Sequence, residues 1–181
     1  MLRYLIFILL FTRVSNFHEG NFYYTKNGTI SFRSDAQQEL IKASSSYLIG
    51  LLDPKKRTFV FKVIIRTFHG FNSALQQEHF NEKYLESEKY PEALFTGKII
   101  EDLDLSTEGT YDVRAKGKLK IHGVEMERII RINVVVKNDI IKIESHFSIL
   151  LSDHNIKIPR VIYEKIASEI LVDLKTELNR K

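Results

Sequence analysis

Six histidines are the side chains of this 181-residue sequence best suited to bind a metal ion. Imidazole is the commonest protein ligand for transition metals, and local metal motifs bring two histidines together at short spacings such as H-x-x-x-H. No two of these histidines have that spacing, so a site would need at least three distant ones to converge. We therefore predict no metal site and no cofactor. The six are His18, His69, His79, His122, His146 and His154.

Three glutamates, Glu82, Glu86 and Glu88, are the candidates for acid–base chemistry. Glu82 and Glu86 are four residues apart, so they would share one face of a helix. Paired carboxylates can act as general acid and base, but a solvated helix surface has the same pattern. The sequence contains neither a G-x-S-x-G nucleophile elbow nor a phosphate-binding P-loop. We predict no catalytic residues and no enzymatic activity.

The composition is that of a single globular domain, with 44% hydrophobic and 28% charged residues. The net charge is +4, and leaving out Arg3 and Arg13 leaves 25 basic against 23 acidic residues. Positive and negative residues are interspersed without a basic block, so we predict no nucleic-acid partner. The absence of cysteine excludes disulfides, zinc–thiolate sites, cysteine nucleophiles and an acylated lipoprotein leader.

Residues 1–16 have the pattern of an export signal. Arg3 supplies a positive charge, and the run Tyr4–Phe11 is apolar over eight residues, which is too short to span a bilayer. The Val14–Asn16 stretch is a poor match to the usual small-residue cleavage site, and a buried N-terminal strand is the alternative. We predict a signal peptide at residues 1–16, one domain at 17–181, and a soluble periplasmic or secreted protein.

Alternating apolar residues predict β-strands along most of the chain after the leader. The clearest alternation runs from Tyr111 to Ile121, where apolar or small residues alternate with charged ones. In the second strand the odd-numbered residues from Ile41 to Ile49, including Tyr47, are predicted to share one face. The predicted strands are 28–34, 39–51, 59–65, 94–100, 111–121, 130–136, 141–151 and 170–178.

Tight turns connect three of these strands in succession. His122-Gly123 predicts a two-residue hairpin, and Asn138-Asp139 predicts a second turn, so residues 110–151 are expected to form three consecutive antiparallel strands. No β-α-β alternation is present. Eight short, regularly spaced strands of this kind predict an antiparallel sandwich or barrel.

Two helical segments interrupt the strands. Ser73 can cap a helix, with Gln76 at capping-box spacing, and Pro91 ends this excursion from the sheet. We predict a helix at about 73–86 inside a lid, defined as residues 73–91. Pro159 predicts the first turn of a short helix that ends near Ser168, before the last strand.

Small residues on the predicted inward faces favour a cavity. Eight-stranded barrels are either filled by their own side chains or hollow enough for one small ligand. Ala43, Ser45, Ala115 and Gly117 leave room where a packed core would have bulk. The residues alone leave the filled and the hollow barrel as alternatives.

The run EHFNEKYLES, followed by KYP and LFTGKI, resembles the YceI-like, polyisoprenoid-binding family in its secreted bacterial form. The resemblance extends over nearly all of the chain after residue 26, including Gly28–Ser34 and the Ile121–Val124 turn. It implies a lipocalin-like antiparallel barrel that holds a long isoprenoid lipid, such as a quinone tail or a polyprenyl phosphate. It implies no catalytic mechanism.

The predicted ligand-binding residues are apolar side chains on the inward strand faces. They would remove isoprene units from water, and Lys62 or Arg66 would approach a polar head at the mouth of the barrel. The alternative is a filled barrel that acts as a protein-interaction module through the lid. The predicted lining is Phe59, Phe61, Val63, Ile65, Phe95, Val113, Ile132, Val134, Ile143, Phe147 and Ile149.

Overall fold

The computed structural model describes residues 22–181. Eight antiparallel strands form a closed barrel in which each strand pairs with its neighbours in sequence and β8 pairs with β1. This confirms the predicted all-β, eight-stranded antiparallel barrel. The strands are Tyr23–Asp35 (β1), Leu40–Asp53 (β2), Thr58–Ile64 (β3), Glu92–Ile99 (β4), Gly109–Ile121 (β5), Val124–Lys137 (β6), Ile140–Leu150 (β7) and Glu169–Arg180 (β8).

The β5–β6–β7 meander has the two tight turns predicted from sequence. β5 and β6 pair without a break from Gly109↔Val136 to Ile121↔Val124. His122 and Gly123 have φ of 50° and 75°, and Asn138 and Asp139 have φ of 51° and 58°. Positive φ at both central residues matches the twist of the flanking strands in a two-residue hairpin. Both predicted hairpins are therefore confirmed.

The face of β2 changes partway along the strand, contrary to the prediction. Ser45 is buried as expected, but Tyr47 is 60% exposed and Leu48 only 2%. Ile30 pairs with Ser45 and Gly28 pairs with Leu48, so the chain advances by three residues along β2 where it advances by two along β1. This extra residue is a β-bulge, which reverses the inward and outward positions beyond it. The prediction that Tyr47 and Ile49 share the inward face was therefore wrong.

The lid begins with helix α1, Ala74–His79, and continues as a π-helical turn from Phe80 to Tyr84. The Ser73 side chain caps α1 by accepting a hydrogen bond from the Gln76 amide at 3.2 Å. β3 ends at Ile64, and Ile65, predicted as its last inward residue, begins a 3-10 turn that leads toward the lid.

Residues 159–168, where a short helix was predicted, contain a single 3-10 turn, Arg160–Ile162. The backbone of this segment bonds partly to itself, since the Lys165 and Ile166 amides both donate to the Ile162 carbonyl at 2.9 and 3.2 Å, and partly to residues around it. The Gln38 amide donates to the Glu164 carbonyl at 2.7 Å, and the Ala167 amide donates to Ser34 Oγ at 2.9 Å. The Glu164 carbonyl and the Ala167 amide, which a longer helix would pair along its own axis, thus have partners outside the segment.

One end of the barrel is solid. The connection between β4 and β5 carries Leu105, which is fully buried, into the barrel end, where it packs with Leu52 and Leu178. The opposite end faces the lid and has smaller buried clusters around Ile65 and Val63. The barrel is therefore filled at one end only. Within residues 22–181, no helix is long and apolar enough to cross a membrane.

Candidate functional site

An apolar cavity occupies the open half of the barrel and the space beneath the lid. It consists of an inner chamber of about 80 Å³ between the strands and an outer chamber of about 430 Å³ between the barrel end and the lid. Both chambers have mainly hydrophobic walls, and five residues border both of them. These shared residues are Ile30, Val63, Ala93, Leu119 and Phe147.

Four phenylalanines form an aromatic wall of the outer chamber. The Phe32 and Phe80 rings are stacked with centroids 5.4 Å apart, and Phe68 and Phe71 lie 5.8 and 5.0 Å from Phe80. Phe80 comes from the lid and Phe32 from β1, so the cluster joins lid to barrel across 48 residues of sequence. The predicted lining did not include these rings. The phenylalanine-rich FHGF run before the lid was the available sequence signal.

Nine of the eleven predicted lining residues border the cavity. Val113 and Val134 do not: they are 3% and 0% exposed and pack in the solid end, beyond the inner chamber. Alternation identifies the inward face of a strand but not the depth at which the interior is empty. The nine residues that border the cavity are Phe59, Phe61, Val63, Ile65, Phe95, Ile132, Ile143, Phe147 and Ile149. Ligand binding by these residues remains a prediction.

The small residues that suggested a cavity have separate roles. Ala115 borders the inner chamber. Ser45 bonds to Thr67 through their hydroxyls at 2.6 Å. A Cβ atom on Gly117 would lie 2.2 Å from the Thr96 carbonyl oxygen, so the close approach of β4 and β5 requires this glycine. Gly117 is therefore explained by strand packing and not by the cavity.

Polar side chains collect at the outer chamber. Glu39, Gln76, His79 and Lys165 all border it, and Gln76 Nε2 donates to Glu39 Oε1 at 2.9 Å. The two cations expected at the mouth are both paired with glutamates and do not border the outer chamber, although Lys62 borders the inner one. Lys62 pairs with Glu92 at 3.4 Å and Arg66 with Glu88 at 3.0 Å, both on partly or largely exposed side chains. A ligand head group in the outer chamber would therefore meet a different set of polar residues.

His122 fastens the end of the lid to the barrel. Its Nε2 lies 2.6 Å from Glu86 Oε2, and its Nδ1 lies 3.1 Å from the His154 carbonyl oxygen. The Tyr90 ring packs edge-on against the imidazole with centroids 4.8 Å apart. The two ring nitrogens thus contact Glu86 of the lid and the backbone that follows β7, so one side chain joins these two segments.

His154 is 1% exposed, and its Nδ1 lies 3.2 Å from the Val124 carbonyl oxygen. Burial lowers the pKa of His154, because removing the ring from water disfavours its charged form. His154 therefore acts as a neutral buried side chain beneath the lid attachment.

The candidate chemical residues are used in structural contacts. Glu86 has φ of 44° and lies after the π-helical turn, so it does not share a helix face with Glu82 as predicted. It contacts His122, while Glu88 contacts Arg66. Across residues 22–181, no group of three or more histidine or carboxylate side chains is arranged to hold a metal ion. His18 and the predicted signal peptide at 1–16 lie outside the described residues.

Solved structures with the same barrel come from three bacteria. A polyisoprenoid-binding domain from Saccharophagus degradans, implicated in plant cell wall breakdown, has a TM-score of 0.75 at 13% identity, covering 89% of this chain and 99% of that one. Burkholderia cenocepacia BcnA has a TM-score of 0.68 at 15% identity, covering 83% and 95%. The Campylobacter jejuni YceI protein has a TM-score of 0.56 at 17% identity, covering 74% and 80%. At these identities the likeness concerns the fold alone.

No curated protein matches the sequence. The family described as the YceI-like domain matches residues 14–178, which is nearly the whole chain. The barrel fold and the sequence agree on this assignment. The chain belongs to the YceI-like family.

Proposed function

We propose that this protein binds one elongated apolar lipid, an isoprenoid, with its tail in the inner chamber and its remainder in the outer chamber. The observation that carries the proposal is the apolar outer chamber of about 430 Å³, which is within the usual range for ligand pockets of about 300–1,000 Å³. A neighbour of the same fold is described as a polyisoprenoid-binding domain, which supports the choice of lipid class.

Hydrophobic transfer is sufficient to hold such a ligand. Burying each carbon group contributes about 0.8 kcal/mol, or roughly 4 kcal/mol for each isoprene unit, before the cost of ordering the chain. The aromatic wall of Phe32, Phe68, Phe71 and Phe80 offers broad contact surfaces to the branching methyl groups. A quinone or a phosphate head would lie at the polar side of the outer chamber, beside Gln76 and Lys165.

The proposed role is non-catalytic: transport, storage or protection of the lipid by an exported protein in the periplasm or outside the cell. Two of the candidate acid–base residues support a binding role, since Glu86 contacts His122, Glu88 contacts Arg66, and neither glutamate borders the cavity. The signal-like pattern of residues 1–16 supports export, which is part of the proposal.

Native mass spectrometry of the purified protein, followed by extraction and identification of the lipid, tests the proposal. We expect one lipid per chain, and a delipidated sample should take up an added polyprenol with the same stoichiometry. A mass without lipid that does not change on addition of polyprenol would contradict lipid binding. That outcome would favour the alternative, a protein-interaction module that acts through the lid.

A further inference from the structure

The loop before β8 exposes apolar side chains next to the opening of the cavity. We name residues 157–165 the rim loop. Val161 is 90% exposed, the largest exposed fraction among the large apolar residues described between 22 and 181, and Tyr163 is 58% exposed. The intervening Ile162 points the other way and borders the outer chamber, as does Lys165. One side of the rim loop is thus cavity wall, and the other is an exposed apolar edge.

This apolar edge is held in place by the barrel. The Glu164 carbonyl accepts a hydrogen bond from the Gln38 amide at 2.7 Å, and the Gln38 side chain also bonds to the Glu164 carboxylate. Two residues beyond the loop, Ala167 is bonded to Ser34 Oγ at 2.9 Å. Val161 therefore points outward from a loop whose C-terminal side is already fixed. Binding through Val161 would not need to order that side, so it would lose little conformational entropy there.

The rim loop is also basic, and its charges are not neutralised by neighbours. Lys157, Arg160 and Lys165 are all exposed, and none forms an ion pair within the described part of the chain. The only acidic residue of the loop is Glu164, which is bonded to Gln38.

Some lysines on the outer barrel wall are paired with glutamates. Lys116 and Lys118 on β5 pair with Glu127 and Glu125 on β6, at 2.6 and 2.8 Å. Other exposed lysines of the wall form no ion pair within residues 22–181, among them Lys42, Lys98 and Lys120. The rim loop differs from the wall because its unpaired positive charge lies next to the exposed apolar side chains of Val161 and Tyr163, beside the cavity opening.

We propose that the rim loop docks this protein onto an anionic phospholipid membrane. Val161 would enter the acyl boundary, Tyr163 would lie at the interface, and Lys157 and Arg160 would contact lipid phosphates. Basic residues beside exposed apolar ones are the features that hold a segment at a membrane surface. Because the opposite side of the loop borders the outer chamber, docking would let an apolar tail enter the cavity without crossing water. This inference goes beyond the proposed function, since membrane binding requires no bound lipid in the cavity.

Co-sedimentation of the protein, without its predicted signal peptide, with lipid vesicles tests the inference. The probes are vesicles of phosphatidylcholine alone and vesicles with roughly 30 mol % phosphatidylglycerol, a surface negative enough to attract basic segments. We expect binding that requires phosphatidylglycerol and weakens with salt. Each basic residue near such a surface contributes about fivefold, so Lys157→Gln with Arg160→Gln should reduce the partition coefficient by roughly 10- to 30-fold. Val161→Asp should reduce it at least severalfold.

Matched controls separate docking from general charge attraction. Lys116→Gln with Lys118→Gln removes the same net charge from the barrel wall, and Ile129→Asp changes an apolar side chain that is 57% exposed on β6. Both should bind vesicles within about twofold of the wild type. Absence of phosphatidylglycerol-dependent binding, or an equal loss in controls and rim-loop variants, would overturn the proposal.

Lipid content measured by mass spectrometry without vesicles is a separate readout. A protein that holds its lipid but ignores vesicles would refute docking and leave the proposed function intact. A protein that docks but takes up no polyprenol would refute only the proposed function.

Discussion

Replacing Val63 with tryptophan tests whether the lipid occupies the barrel interior. Val63 is 4% exposed and borders both chambers, so the larger ring would extend into space that the structure shows to be open. The ring should therefore exclude ligand while placing little strain on the fold. The chain contains no tryptophan, so the new indole is also a fluorescent reporter of its own surroundings.

Val134→Trp is the matched control, because the substitution is identical but the site is solid. Val134 is fully buried in the closed end and borders neither chamber. Forcing extra volume into a packed interior typically costs about 1–3 kcal/mol of stability. We expect that loss for Val134→Trp and a loss below about 1 kcal/mol for Val63→Trp.

The two variants should differ in the opposite sense in lipid affinity: Val63→Trp should lose it and Val134→Trp should keep it. If the ring at position 63 excludes one isoprene unit, roughly 4 kcal/mol of transfer free energy is lost, which weakens affinity by a factor of the order of 10² to 10³. Val134→Trp should bind polyprenol within about threefold of the wild type, because it lies outside the cavity.

Urea unfolding of the delipidated proteins and polyprenol titration by native mass spectrometry measure the two quantities. If Val63→Trp is as unstable as Val134→Trp, the region around Val63 is filled and the cavity argument fails. If Val63→Trp is stable and binds polyprenol as tightly as the wild type, the ligand lies elsewhere.

Three further predictions concern pH, strand packing and export. The pKa of His154 in the folded protein is below its ordinary 6.5, so the unfolded chain binds more protons as the pH falls through 6.5, and the folded state loses stability. Thermal midpoints measured between about pH 8 and 5 should therefore fall less for His154→Asn than for the wild type. A pH profile that the substitution leaves unchanged would contradict this. Gly97→Ala should lower the urea midpoint by the equivalent of about 1–3 kcal/mol, because its Cβ would lie 2.1 Å from the Lys116 carbonyl oxygen, and a stability equal to the wild type would refute that contact. N-terminal sequencing of protein from the native host should begin near residue 17, and an intact Met1 on cytoplasmic protein would exclude the predicted signal peptide.

The sequence by itself determined the strands and the turns of this barrel. The strict alternation of β5 and the turns at His122-Gly123 and Asn138-Asp139 are local properties, because side chains alternate along any strand and positive φ favours only a few residues. The inward orientation of the predicted lining followed from the same alternation. The Ser73 cap was likewise readable from spacing alone.

Tertiary contacts decided where the barrel is empty. Val63 and Val134 have the same side chain and the same inward orientation, but Leu105, from the β4–β5 connection, packs in the solid end of the barrel around Val134 and not around Val63. The bulge that turns Tyr47 outward depends on the register with β1. Such contacts join residues far apart in sequence, so no local pattern encodes them. For this reason the sequence predicted the walls of the cavity well, but not its depth or its aromatic cover.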